Sequence, residues 1–240
     1  ILARRSLLGL LLFFLVLNLV VGLAVDVLAP FVLTKTDNSS TSLGAVQSAW
    51  AVGAVAGGLL MGIWGGFRRR MTSIFVGEAC TGLFALLLFG LGRNLWSWMA
   101  AAGIGAIFMP FSNGASQAIW QAKVAPDVQG RVFSARRLIA WSMGPITPLI
   151  AGALADYVTE PAMQSSGWLA RAFGGLVGTG PGSGMALQFL LAGVAYLALV
   201  AAVYFLVPAV RNLEDLLPDH DQARDGAEVR REGTETTSAA

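Results

Sequence analysis

Charge is what this sequence has least of. Charged residues fill 12% of 240 positions, about half the roughly 25% usual for a soluble domain. Of the 30 charged side chains, 12 fall in residues 209–240, which leaves 18 for residues 1–208. So few cannot cover the surface of a soluble fold with polar groups. A soluble enzyme, a nucleic-acid binder and a disordered chain are therefore excluded. Cysteine is reduced to Cys80, so neither an intrachain disulfide nor a cysteine metal cluster can form. Histidine is reduced to His220, which leaves no support for a Ser–His intramembrane protease, a histidine-ligated metalloprotease or haem held by paired histidines. No Gly-Lys-Ser/Thr phosphate loop occurs, so no ATP site is expected on this chain. The expectation is a protein without a cofactor or resident metal, and not an enzyme.

What the chain has instead is apolar length. A helix needs roughly 20 apolar residues to cross the hydrocarbon core. Six segments meet that, at about 7–29, 43–66, 72–92, 95–120, 138–157 and 184–207. None alternates with period two, which argues against a β-barrel. The expected fold class is all-α, with a six-helix transmembrane bundle over 1–208 and a polar, acidic, mobile tail over 209–240. The chain starts at Ile1 rather than Met, and a piece of a longer protein is expected.

The few charges are placed unevenly. The tail has four arginines against eight acids, so the overall +2 hides +6 in the first 208 residues. Arg4 and Arg5 precede the first segment, and Arg68, Arg69 and Arg70 follow the second. Lys123, Arg131, Arg136 and Arg137 follow the fourth. The intervening connections carry one basic residue each: Lys35, Arg93 and Arg171. High and low counts alternate, and basic loops face the cytoplasm. Both termini are thus expected in the cytoplasm of a multi-pass protein of the inner membrane, with the bilayer as its first partner. Trp96 and Trp98 are expected at the outer interface, and Trp64, Trp120 and Trp141 at the inner one.

Polar groups inside the segments mark a path or a packing contact. Asn18, Gly22 and Asp26 are four apart and share one helix face. Asn113, Ser116 and Gln117 share another, three residues after Pro110, which can bend the helix. Gln47 can face the same cavity. Gly53/Gly57, Gly58/Gly62 and Gly62/Gly66 are spaced for close helix approach. Glu78 lies inside the third segment, where a bare carboxylate is costly. It can pair with Arg68–Arg70, titrate in a transport cycle, or stay protonated. Between 158 and 183, Trp168, Leu169, Phe173 and Leu176 recur at helical spacing, as in a helix lying on the membrane. The following Gly178–Gly184 run has no preceding strand and no following Lys, so it reads as a flexible turn rather than a phosphate cradle.

Two stretches carry a family resemblance. Gly62-Ile-Trp-Gly-Gly66-Phe-Arg68-Arg69-Arg70 resembles the degenerate second copy of the Gly-x-x-x-Asp-Arg-x-Gly-Arg-Arg signature of the major facilitator superfamily, with Gly66 in place of its aspartate. Val124-Ala-Pro126-Asp-Val-Gln-Gly130-Arg131-Val-Phe-Ser134, with Gly144-Pro145 and Gly152-Ala-Leu-Ala-Asp156, is similar to the macrolide and enterobactin exporter branch. The resemblance implies that the six helices are the second half of a twelve-helix transporter, built as two inverted three-helix repeats. It also implies a cavity lined by the first and fourth helices, with the third and sixth peripheral. The missing partner would be the N-terminal six-helix half.

The function expected is proton-driven efflux of amphipathic small molecules by alternating access. In that reading Asn18, Gly22, Gln47, Asn113, Ser116 and Gln117 are cavity contacts. Asp26 and Glu78 are the proton-coupling candidates. Arg68, Arg69, Arg70, Arg131, Arg136 and Arg137 act at a cytoplasmic gate. The alternative is a non-transporting membrane scaffold or a decayed half-gene.

Overall fold

The computed structural model describes residues 5–164, 167–216 and 219–220. Arg4 and the tail beyond His220 lie outside the described residues. Among the described residues every regular element is helical: α1 Arg5–Val25, α2 Leu28–Lys35, α3 Ser40–Trp64, α4 Arg70–Cys80, α5 Leu95–Lys123, α6 Pro126–Trp141, α7 Thr147–Leu154, α8 Trp168–Val177, α9 Ser183–Leu206, α10 Pro208–Arg211 and α11 Leu213–Leu216. Two π-helical stretches, Thr81–Leu88 and Ala155–Thr159, prolong α4 and α7. Short α-helical turns, Phe89–Leu91 and Glu160–Ala162, complete those two helices.

Local chemistry sets the ends. Ser39 caps α3 by accepting from the Ser42 N–H, and α3 stops where Gly65 turns left-handed at φ 76°. Asn94 and Ser97 form a reciprocal capping box at the start of α5. Among the described residues, five helical stretches are long and apolar enough to cross a membrane: Ser6–Lys35, Ser40–Trp64, Arg70–Leu91, Leu95–Lys123 and Ser183–Leu206. They coincide with five of the six expected segments.

The segment expected at 138–157 is broken. α6 ends at Trp141, a turn covers 142–146, and α7 restarts at Thr147. Pro145 and Pro148 have no N–H for the carbonyls of Trp141 and Gly144. The Gly144 N–H takes the Trp141 carbonyl instead, at 3.0 Å. An apolar-residue count does not register this loss of two helical hydrogen bonds.

The most extensive helix pairing is α3 against α5. A Cβ at Gly53 would lie 2.0 Å from the Gly103 carbonyl oxygen, and one at Gly57 2.1 Å from that of Ile107. The helices approach backbone to backbone, as small residues four apart allow. A Cβ at Gly58 or Gly62 would meet nothing within 4 Å, so these two glycines take no part in the contact. Trp98 and Trp120 differ in exposure from the other tryptophans expected at the interfaces. Both are buried in the bundle, Trp98 donating its indole N–H to the Gly92 carbonyl at 3.0 Å, whereas Trp64, Trp96 and Trp141 are exposed.

Side-chain contacts sort the connections into two ends. At one end the Glu214 carboxylate accepts the N–H groups of Arg70 and Met71, both at 3.1 Å. There Lys123 also pairs with Asp219 at 2.9 Å and Arg69 with Asp215 at 3.6 Å. This is the basic end. The first turns of the tail thus fold against the bundle, burying Val210 and Leu213. At the opposite end Lys35 donates to the Ser183 hydroxyl at 3.0 Å, and Arg93 donates to the carbonyls of Gly175 and Leu176.

Glu214 fills the role of an N-terminal cap for α4, placed where the helix dipole favours an anion. Glu214→Ala is expected to cost about 1 kcal/mol, a loss of about 2–4 °C in apparent Tm for a domain of this size. The exposed partner Asp215→Asn is expected to change it little. Thermal unfolding of the detergent-purified chain followed by circular dichroism checks both.

Candidate functional site

A cavity of about 530 Å³ opens between the helices, bounded by α1, α3, α4, α5, α6 and α9. α1 contributes Asn18 and Gly22 at the four-residue spacing that places them on one face, and Asp26 follows just past its end. Asn18 and Asp26 are exposed to the cavity, while Gly22 lets α1 close on Thr147. α5 contributes Asn113 and Gln117. Trp50 lines the cavity from α3. Gln47, one turn before it, is exposed and stays outside the lining.

The third and sixth segments reach the cavity as well. Glu78 is buried at 7% exposure on its wall. Ser112 donates its hydroxyl to Glu78 Oε1, and Tyr196 donates to Oε2. Pairing of Glu78 with Arg68–Arg70 is not what forms. Those arginines stand at the basic end: Arg68 and Arg69 are exposed, and Arg70 donates to the Ala118 carbonyl at 3.4 Å. The π-helical stretch begins three residues past Glu78 and carries Thr81 into the same wall. Inserted π turns recur at functional sites, because they rotate the side chains that follow. A buried carboxyl with two hydroxyl donors and, among the described residues, no cation in an ion pair with it is a place where a proton can be held without a fixed counter-charge.

α6 brings the basic groups. Arg136 and Arg137 line the cavity, and Arg131, one turn earlier, is exposed outside it. Arg136 donates to Gln117 Oε1 and to the Ser116 hydroxyl, both at 3.2 Å, and its guanidinium lies 5.4 Å from the Trp120 ring centroid. Ser116 is therefore a buried anchor for Arg136, not a lining residue. Burial pulls the Arg136 guanidinium below its ordinary value, yet a guanidinium stays charged throughout the physiological range. α6 buries no residue fully, so these contacts account for much of its hold on α5.

The glycine-rich run at the opposite end has its anion site filled from within. Glu160 accepts the N–H groups of Gly182 at 3.1 Å and Met185 at 2.9 Å. The turn into α9 is pinned rather than loose, with Gly182 left-handed at φ 79°. Sequence reasoning missed Ser112, Tyr196 and Glu160 as functional neighbours. A tyrosine in the middle of the apolar run 184–207 was the available signal for Tyr196, since its hydroxyl wants a partner when buried.

Over 145 residues the chain is 26% identical to Macrolide efflux protein A of Streptococcus pyogenes, covering 59% of this chain and 36% of that protein. It is 26% identical over 121 residues to Macrolide efflux protein A of Enterococcus faecalis, covering 49% of this chain and 37% of that one. The matched part thus spans about a third of the length of these relatives. The resemblance to the macrolide exporter branch is met by this weak homology. No family model matches the chain. No solved structure matches it.

Proposed function

We propose that this chain is the C-terminal half of a major facilitator exporter that moves amphipathic small molecules outward in exchange for protons. The observation that carries the reading is Glu78, buried on the wall of a 530 Å³ cavity between the hydroxyls of Ser112 and Tyr196. Similarity to macrolide efflux proteins supports the direction and the substrate class. The basic end faces the cytoplasm of the inner membrane, in keeping with the alternation of Lys and Arg along the loops.

In this mechanism the N-terminal six-helix half covers the open side of the cavity, and the two halves rock about it. Asn18, Asn113 and Gln117 supply neutral hydrogen-bonding groups to the cargo. Asp26 is the exposed acid nearest a cationic substituent, whereas Glu78 carries the proton. Arg136, tied to Gln117 and Ser116, reports cavity occupancy to the broken helix. Releasing those two bonds frees α6 to pivot on the 142–146 turn, and Arg137 moves with it. Arg68, Arg69, Arg70 and Arg131 hold the cytoplasmic end in one gate state.

The experiment is transport in proteoliposomes by the chain co-expressed with its N-terminal half. An imposed pH gradient is expected to drive uptake of a labelled macrolide, and reversing the gradient is expected to reverse the flux. Flux that ignores the gradient would leave only a passive or scaffolding role.

A further inference from the structure

A second recess lies away from the central cavity, on the outer flank of the bundle. It is a groove of about 430 Å³ between α4 and α9, walled by Thr72, Phe75, Ala79, Leu197, Ala201 and Tyr204. Both helices belong to stretches apolar enough to span a membrane, so the groove opens onto hydrocarbon. An apolar recess there is filled by an acyl chain in preference to water. What distinguishes this recess is its rim. Tyr204, near the basic-end terminus of α9, stands edge-on to Phe75 with centroids 5.2 Å apart. The guanidinium of Arg211 lies 5.6 Å from the Tyr204 ring centroid.

The partners of Arg211 are neutral. Its Nη1 donates to the Tyr204 carbonyl at 3.5 Å and its Nε to Asn212 Oδ1 at 3.4 Å. Two other cations of the basic end have acids: Asp215 takes Arg69 and Asp219 takes Lys123. Among the described residues no carboxylate pairs with Arg211, which sits where α9 has just left its apolar run. A guanidinium with open donors beside an apolar groove at the membrane surface is complementary to a phosphate with a hydrocarbon tail.

We propose that the α4–α9 groove binds an anionic phospholipid, one acyl chain along the groove and the headgroup phosphate on Arg211. The inference rests on the membrane-spanning character of α4 and α9 and is independent of transport. Its test is competitive lipid retention, read by native mass spectrometry of the purified full chain delivered from detergent with equimolar phosphatidylglycerol and phosphatidylcholine. A basic residue near a bilayer surface favours anionic lipid by about fivefold, and that preference is expected here. Arg211→Gln is expected to bring the ratio near one, and Arg211→Lys to keep most of it. Ala201→Trp, which fills the groove, is expected to lower retention of both lipids, with size exclusion confirming a folded chain. Equal retention of the two lipids by the unaltered protein overturns the proposal, as does a preference that survives Arg211→Gln. A dimer dispersed by Ala201→Trp overturns it too, by giving the groove to a second copy of the chain.

Discussion

Gly57→Ala is expected to destabilise the protein, although alanine is the better helix former by about 1 kcal/mol. The added Cβ would lie 2.1 Å from the Ile107 carbonyl oxygen, a backbone atom of α5 that cannot rotate away. Relief requires α3 and α5 to move apart along their whole contact. In a membrane that contact has little hydrophobic drive behind it and depends on close van der Waals packing. The overpacking cost is about 3 kcal/mol, larger than the propensity gain. Gly58→Ala is the matched comparison, because a Cβ there meets nothing within 4 Å. The recovery of monodisperse protein after heating in detergent should fall sharply for Gly57→Ala and hold for Gly58→Ala. Equal behaviour of the two would remove the backbone contact as a stabilising feature.

Glu78→Gln is expected to abolish uphill transport by the chain paired with its N-terminal half. Glutamine keeps the size of the side chain; its Oε1 can accept from one of the two hydroxyls and its Nε2 can donate to the other. It cannot carry a proton. One proton moving down 100 mV supplies about 2.3 kcal/mol, a concentration ratio of about fiftyfold for a neutral cargo. Wild-type proteoliposomes should approach that ratio, and Glu78→Gln should stop at a ratio of one. Exchange of labelled for unlabelled substrate without a gradient should persist, because the cavity keeps its shape. Asp26→Asn, altering an exposed lining acid, should retain accumulation while raising KM for a cationic substrate. Full accumulation by Glu78→Gln would place coupling elsewhere.

Several features of the site were legible along the chain because they are local. Asn18, Gly22 and Asp26 declare their common face through a spacing of four, and they do line the cavity. Asn113 and Gln117 do the same on α5. Ser116 obeys a similar spacing yet is taken up by Arg136, and Gln47 lies exposed outside the cavity lining. Periodicity identifies a shared face without saying what that face meets. The glycines make the same point: Gly53 and Gly57 are pressed on α5, while Gly58 and Gly62 follow an equal spacing into open space.

By itself the sequence determined that the chain is helical and membrane-spanning, which loops are basic, and which residues break helices. These properties depend on composition and on neighbours within a turn or two. Tertiary structure decided the partners. Glu78 meets Ser112 from 34 residues away and Tyr196 from 118, and Glu214 reaches back 144 residues to cap α4. A buried carboxylate must find donors wherever the packed helices bring them, and the expected arginines lie at the basic end, outside the wall that holds Glu78. The break at 142–146 belongs between these cases. Its prolines were visible, but only the folded chain shows α6 turned into the cavity by the lost hydrogen bonds and held there by Arg136.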